Sequence, residues 1–454
     1  MGDGASDMSS KSSKSDSAVS PLTKPTARGR THHRSAQHDS AHATPHASVP
    51  IPHHPLICPD AADLVDTQSA LDDLIAALRA DGSFAYDSEF IGELSYLPKL
   101  CLIQVASHRR IALIDPLSDQ VSLDGFWDLL CDPAVEKVVH AGQQDIEPVL
   151  RFRQRPPANL FDTQLAAGFC GMTHPSALSR LIHELLDVKI GKGLTFTHWD
   201  QRPLSAQQLR YAADDVRYLP ALRAALGALL EAEGHTAHAQ EEFASLCEPS
   251  QYRFDPATYY LRVRGSGNLP ADALAVLREL TVWRDGAARA QDVPPRTLLR
   301  DEILVDLARS PVKSADKFDR VRGLPRPIEQ EYGQAIIEAT ARGLKVPTSD
   351  MPEVRHVEPS PRERFTADAV WAWVQVLCVG RSIDPNLVTN RQEVGDLVRP
   401  LLAGEPIPPG PLLTGWRREL IADPLMDIVR NDGSKLELNW GGGKMRTHHL
   451  RRSS

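Results

Sequence analysis

The chain has 454 residues, with 51 Lys plus Arg against 59 Asp plus Glu and a formal net charge of −8. That length is about three times an ordinary domain, so two or three domains are expected, and the acidic balance excludes a wholesale polycationic binder but not local basic patches. The six cysteines, Cys58, Cys101, Cys131, Cys170, Cys247 and Cys378, form no CxxC pair, which excludes a dense disulfide framework or a cysteine-rich zinc site and leaves reduced core thiols.

Residues 1–55 are Ser, Thr, His, Ala, Lys and Pro with almost no large apolar residue, so a disordered tail is expected. Its histidines, among them His32, His33, His38, His42 and His46, are irregularly spaced and read as solvated. The start lacks a basic segment followed by an apolar one, and no run approaches the roughly 18 apolar residues of a membrane span. A cytoplasmic protein with no membrane contact and no obligate protein partner is expected.

The spacing of Leu71, Leu74, Ile75 and Leu78 predicts a helix over 67–79. Strands are predicted at 83–90, 100–106, 111–114, 135–140 and 159–163, and helices at 143–150, 164–169, 176–186 and 205–230. Strands interleaved with helices indicate an α/β domain, assigned to 56–235. After a linker at 236–265 only helix-period segments remain: 271–289, 297–308, 314–321 and 328–342 in a domain at 266–344. A Pro-, Glu- and Ser-rich linker at 345–361 leads to 367–379, 385–402 and 414–428 in a second helical domain at 362–430, and 431–454 is a polar tail expected to be disordered.

Asp87 and Glu89 stand two apart on a strand, so their carboxylates share a face while Tyr86, Ser88 and Phe90 point the other way. Two carboxylates 4 Å apart repel by about 4 kcal/mol at an effective dielectric near 20, and with no lysine or arginine at i±2 such a pair asks for a divalent ion. A solvated strand face is the plain alternative. Asp145 falls on the first turn of a helix, where free amides favour an anion, and capping alone would explain it. Asp162 closes the next strand and is a poorer candidate. Tyr211 and Asp215 lie one turn apart on one helix face, a pairing suited to phosphodiester hydrolysis in which a carboxylate anchors a metal and a hydroxyl positions water. Asp214 points about 100° away and reads as the solvated neighbour.

The stretch Phe84-Ala85-Tyr86-Asp87-Ser88-Glu89-Phe90, continuing through Tyr96-Leu97-Pro98-Lys99-Leu100-Cys101-Leu102-Ile103-Gln104, resembles the first exonuclease motif of the ribonuclease D family. Lys137-Val138-Val139-His140-Ala141-Gly142-Gln143-Gln144-Asp145 resembles the second, and Tyr211-Ala212-Ala213-Asp214-Asp215-Val216 the third in its tyrosine-containing form. Trp199-Asp200-Gln201-Arg202-Pro203-Leu204 reads as that family does before its third motif. The resemblance implies an RNase H-like mixed sheet and a 3′-5′ exonuclease of the DEDD type. Asp87, Glu89, Asp145 and Asp215 would hold two divalent ions, Mg²⁺ or Mn²⁺, Tyr211 would orient the attacking water, and nucleoside 5′-monophosphates would be released. Ser88 sits where a threonine is common, and with its side chain turned from the acids little consequence is expected.

Trp283-Arg284, Ala287-Ala288, Asp292-Val293-Pro294, Ile303, Pro311, Gly323 and Tyr332-Gly333 resemble the HRDC domain, and the last helical region, with Trp371, Trp373 and Gly415-Trp416-Arg417-Arg418-Glu419-Leu420, resembles a divergent second copy. Trp371 and Trp373 cannot share a helix face, so at least one belongs at a domain seam or an RNA surface. Arg296, Arg300, Arg309, Lys313, Lys317, Arg320, Arg322 and Arg326 face five acids over the same span, a local charge of +3 that suits phosphate contact or an ordinary solvated face. The implied partner is RNA with an accessible 3′ end, tRNA precursors by resemblance. A 3′-5′ DNA exonuclease in repair and a non-catalytic RNA-binding protein are the alternatives.

Overall fold

Alternation along the two long central strands sets the layers of the catalytic domain. The computed structural model describes residues 53–92, 95–191, 198–352, 360–430, 435–441 and 444–450, with backbone alone from 428 onward. The tail read at 1–55 therefore lies outside the described residues through 52, as do 353–359 of the second linker and Arg451 and Arg452 of the C-terminal tail.

In chain order come β1 (Asp63–Val65), α1 (Gln68–Asp81), β2 (Ser83–Ile91), β3 (Lys99–Ala106), β4 (Ile111–Ile114), α2 (Asp124–Leu130), β5 (Glu136–Val139), α3 (Gln143–Arg153), β6 (Leu160–Asp162), α4 (Thr163–Gly168), α5 (Leu178–Leu186), α6 (Ala206–Arg217), α7 (Leu219–Glu233) and α8 (Thr236–Leu246). The strands form a mixed sheet in the order β1-β4-β3-β2-β5-β6, with β2 antiparallel to β3 and parallel to β5. Phe84, Tyr86, Ile103, Val105 and Ile114 cover one face and pack with Leu71, Phe126, Ile146 and Val149 from α1, α2 and α3. Ala85, Ala106 and Val138 cover the other and pack with Ala213, Leu222 and Phe243 from α6, α7 and α8.

The segment read as one helix over 205–230 is two, because Pro220 brings no N–H and belongs in a first turn, so the chain turns at Tyr218 and restarts. Helix α8 occupies the start of the stretch read as a linker at 236–265; Ala239 and Phe243 are its whole buried face, too sparse a stripe to stand out among polar neighbours.

The next body is α9 (Ala271–Gln291), α10 (Pro295–Leu298), α11 (Asp301–Arg309), a 3₁₀ helix at Ala315–Arg320 and α12 (Arg326–Leu344). The predicted helix 297–308 is interrupted by the extended Leu299, and the predicted helix 314–321 is 3₁₀. Its core contains Leu277, Leu280, Leu304, Phe318 and Ile336, with Tyr260 and Val263 from the preceding segment.

Helices α13 (Pro361–Val379), α14 (Pro385–Val388), α15 (Arg391–Ala403) and α16 (Gly415–Arg417), a π-helical turn at Arg418–Ala422 and α17 (Asp423–Arg430) follow. Thr389 and Asn390 are extended and divide the segment read as one helix over 385–402. Trp373, Leu377, Leu387, Val398 and Trp416 belong to the same apolar cluster as the exonuclease-side Phe169 and Phe243, so these helices share a core with the α/β domain. Trp373 is thus at a seam, with Trp371 partly buried against the same cluster. The tail expected to be disordered instead contains antiparallel strands β7 (Lys435–Gly441) and β8 (Lys444–Leu450).

Candidate active site

Strand β2 brings Asp87 and Glu89 to the face that α6 covers. Their register partners on β3 are Gln104 and Leu102, and Leu102 packs with Ala212 and Tyr211 of α6. Helix α6 starts cleanly because Ser205 and Gln208 form a reciprocal capping box. It presents Tyr211 and Asp215 on one face, where the phenol and the Asp215 carboxylate act on one another. Trp199 lies 6.2 Å from the Tyr211 ring, centroid to centroid. The loop carrying Trp199 is held by Arg202, which reaches both oxygens of Asp115 at 2.5 and 2.6 Å and the Cys101 carbonyl at 2.7 Å.

Asp145 arrives from the other side of the sheet. The β5–α3 turn is tight: Ala141 takes a φ of +55°, and a Cβ on Gly142 would lie 2.6 Å from Val139 Cγ2, so only glycine fits there. Both turn amides donate to the Asp162 carboxylate, at 3.3 and 3.0 Å, and the same carboxylate caps α4 through Gln164 and Leu165. Asp162 is thus a bracket for the turn, not a member of the acidic set. Tyr86 Oη donates to the Asp145 carbonyl at 2.9 Å, and Ser88 Oγ donates to its carboxylate. This corrects the expectation for Ser88. The hydroxyl does point away from Asp87 and Glu89, and that is why it meets the acid delivered by α3 on the opposite layer.

Asp87 acts on each of the other three carboxylates. Burial and then the charges of Asp87, Asp215 and Asp145 push Glu89 up to about 9. Burial raises Asp87 to about 6, against a backbone hydrogen bond that lowers it. Burial and Asp87 raise Asp215 to about 8, and the same two causes hold Asp145 well above its ordinary value. Burial, then Asp215 and Glu89, raise the Tyr211 phenol, so it remains a proton donor. Among the described residues, no lysine or arginine is one of the groups acting on the four acids.

Among the described residues no group of three or more His, Cys, Asp or Glu side chains is already drawn together closely enough to hold a metal ion. The donor set nevertheless fits hard divalent cations, which take oxygen ligands. Gln104, opposite Asp87, is fully buried and neither atom of its amide has a hydrogen-bond partner among the described residues, an orphaned polar group of the kind that a loaded site would satisfy. Sequence reasoning passed over Gln104 as a residue within a motif; its register with Asp87 was the missing signal.

Asp214 is not simply solvated. It is partly buried and pairs with Arg217 at 3.1 Å, and Arg217 in turn grips the carbonyls of Cys58 and Asp60. Of the eight basic residues singled out on the helical domain, Arg296, Arg309 and Lys317 pair with Asp301, Asp306 and Asp316. Arg300, Lys313, Arg320, Arg322 and Arg326 are exposed, with no ion pair among the described residues.

With this arrangement in view, the likeness to known proteins is specific. The family model for a 3′-5′ exonuclease matches residues 63–231, and that for the HRDC domain matches 273–340. The ribonuclease D of Gluconacetobacter diazotrophicus is 35% identical over 378 residues, 82% of this chain and 93% of that protein. The chain belongs to the ribonuclease D family. Another member, ribonuclease D of Zymomonas mobilis, is 34% identical over 83% of this chain and 94% of its own length. The crystal structure of Escherichia coli RNase D, described as an exoribonuclease involved in structured RNA processing, superposes with a TM-score of 0.71 at 28% identity, covering 82% of this chain and 99% of that one. As a ribonuclease D family member the chain is a 3′-5′ exoribonuclease, with a mixed-sheet catalytic domain followed by smaller helical HRDC-like domains.

Proposed function

We propose that Asp87, Glu89, Asp145 and Asp215 hold two divalent cations, Mg²⁺ or Mn²⁺, against the 3′ end of an RNA strand, and that Tyr211 positions the attacking water. The observation that carries this reading is that all four carboxyls, Asp145 buried and Asp87, Glu89 and Asp215 partly buried, are raised above their ordinary values, with Asp87 acting on the other three and no lysine or arginine acting on them among the described residues, since such charges are stable together only when protonated or metallated. When bound, the cations supply water activation and stabilisation of the departing 3′-oxygen. Tyr211 keeps its proton on Oη, beside Asp215, and Trp199 limits the swing of its ring. Ser88 and Tyr86 fix the orientation of Asp145. Cleavage one residue at a time releases nucleoside 5′-monophosphates.

The substrate we propose is a tRNA precursor with an exposed 3′ extension, processed in the cytoplasm. Support comes from the family to which the chain belongs and from Arg300, Lys313, Arg320, Arg322 and Arg326, which are free to meet phosphates on a structured RNA. No helix among the described residues is long and apolar enough to cross a membrane.

The test is Mg²⁺- or Mn²⁺-dependent release of mononucleotides from matched RNA and DNA oligonucleotides. Asp87→Asn is expected to lower turnover by a factor on the order of a thousand, the scale of losing one electrostatic catalytic element, while RNA binding persists. Asp215→Asn is expected to cost far more activity than Asp214→Asn. Unaltered turnover in Asp87→Asn, or faster degradation of DNA than RNA, would overturn the reading.

A further inference from the structure

The segment between α8 and α9 contains a cavity that the reaction does not use. Its volume is about 520 Å³, and its walls include Arg253, Phe254, Tyr259 and Arg262. Phe254 and Tyr259 are partly buried and stand 4.7 Å apart, ring centroid to centroid. The Arg262 guanidinium lies 5.5 Å from the centre of the Tyr259 ring. Both arginines are exposed, and neither has an acidic partner among the described residues. The one acid in the wall, Asp255, is engaged by its own turn: it accepts from Thr258 Oγ1 at 2.6 Å and from the Ala257 amide at 3.0 Å.

The walls are anchored at both ends. Tyr252 packs on the core of the catalytic sheet, which includes Ile146 of the Asp145 helix, and its phenol donates to the Leu246 carbonyl at 2.6 Å. Tyr260 is buried in the core of the helical domain. The cavity is therefore held at the junction of the catalytic and helical bodies, on a chain segment that begins beside α3.

A ligand for this cavity must offer a flat apolar face to two aromatic rings and negative charge to two arginines. A nucleotide does both, since every base has a face that stacks and every linkage a phosphate. The volume lies in the range of small-ligand sites. We infer that this cavity is a nucleotide-binding subsite: a base packs against Tyr259 and Phe254, and its phosphate is met by Arg253 and Arg262. The inference rests on the proposed RNA substrate and adds a second point of contact, apart from the carboxylates and from the basic face of the helical domain. Two sources could supply the nucleotide, a residue of the bound strand upstream of the 3′ end or a released 5′-mononucleotide.

The experiment uses the full chain in EDTA, where metal-dependent turnover is halted, with labelled oligouridylates from a dinucleotide upward and with UMP as competitor. Tyr259→Leu is expected to weaken binding of the longer oligomers by about tenfold, within the range for one lost base stack, with Tyr259→Trp retaining affinity. Arg253→Ala and Arg262→Ala are each expected to reduce the slope of log affinity against log salt, together by about 0.7, the value for the one single-strand phosphate they share. Losses confined to oligomers above a threshold length identify the strand as occupant; UMP competition that the arginine variants abolish identifies the free nucleotide. Wild-type affinities and salt slopes in all three loss variants, or an equal loss at every length without UMP competition, would overturn the subsite. Wild-type release of UMP from the same oligomers in Mn²⁺ checks the exoribonuclease reading separately, so a failure of either is distinguishable from a failure of the other.

Discussion

Ser88 and Asp145 show how much a single hydroxyl can carry at the residue scale. Asp145 is buried, its carboxyl is held well above its ordinary value by burial and Asp87, and Ser88 donates the hydrogen bond that favours its ionised form. Replacing Ser88 by alanine is expected to raise the Mn²⁺ concentration needed for half-maximal activity by about tenfold, the lower end of what a lost partner of a metal ligand costs, with threonine restoring it. A Mn²⁺ titration of mononucleotide release, with circular dichroism to check the fold, measures this. The same acids make stability depend on pH. Each binds its proton more tightly in the folded chain than in the unfolded one, so the stabilisation is complete below about pH 4 and is lost as pH rises through about 6 for Asp87, 8 for Asp215 and 9 for Glu89. The melting temperature in EDTA is therefore expected to fall between about pH 5 and pH 9, and Mn²⁺ to restore it increasingly over that window, because cations require the ionised form. A flat profile in EDTA would contradict the raised carboxyls.

At the scale of elements, the helical domain depends on how closely two helices approach. A Cβ on Gly343 of α12 would lie 2.5 Å from the Cα of Val276 on α9, and backbone cannot move aside as a side-chain tip can. Gly343→Ala is expected to destabilise this body by about 1–3 kcal/mol through overpacking, read as an earlier thermal transition, with degradation of a dinucleotide little changed. Elsewhere, local pattern and observed element agree where an element is long: α1, β2, β3 and α9 follow from the spacing of Leu71, Phe84, Ile103 and Leu277. Short elements are read unevenly: β4, β5, β6 and α4 fall where strands at 111–114, 135–140 and 159–163 and a helix at 164–169 are expected, while β1 and α2 are missed. β1 has three residues and α2 seven, so neither completes enough periods to stand out, although Phe126, Trp127, Leu129 and Leu130 of α2 are all buried. Helix α8 is missed because only Ala239 and Phe243 form its buried stripe, and the β7–β8 hairpin lies in a stretch whose polar composition concealed it.

Among the described residues, two seams of different chemistry join the catalytic domain to the helices that follow it. One is apolar: Trp416 is buried 4.9 Å from the Phe169 ring, and its indole donates to Glu242 at 2.7 Å beside Arg417, which pairs with the same carboxylate. Trp416→Ala is expected to cost about 3–5 kcal/mol, and because the cluster is shared, the catalytic domain and the C-terminal helices are expected to melt together at a lower temperature in calorimetry. The other seam is polar. Tyr96, from the loop after β2, donates its hydroxyl to Asp285 at 2.6 Å and its amide to Asp292 at 3.0 Å, with Arg289 over its ring at 4.8 Å. The loop that follows Asp87 and Glu89 is thereby tied to α9 of the helical domain.

From sequence alone came the chemistry: a period of two placed Asp87 and Glu89 on one face, a period near four placed Tyr211 beside Asp215, and the three motifs carried the family resemblance. Those are properties of neighbours along a chain, which local backbone geometry dictates. What only the tertiary structure decided is who meets across layers. Ser88 reaches Asp145, Gln104 lies orphaned opposite Asp87, and Trp416 reaches Glu242. Such meetings depend on sheet register and on how helices pack over strand ends, and a one-residue shift in register would send each side chain to the other face.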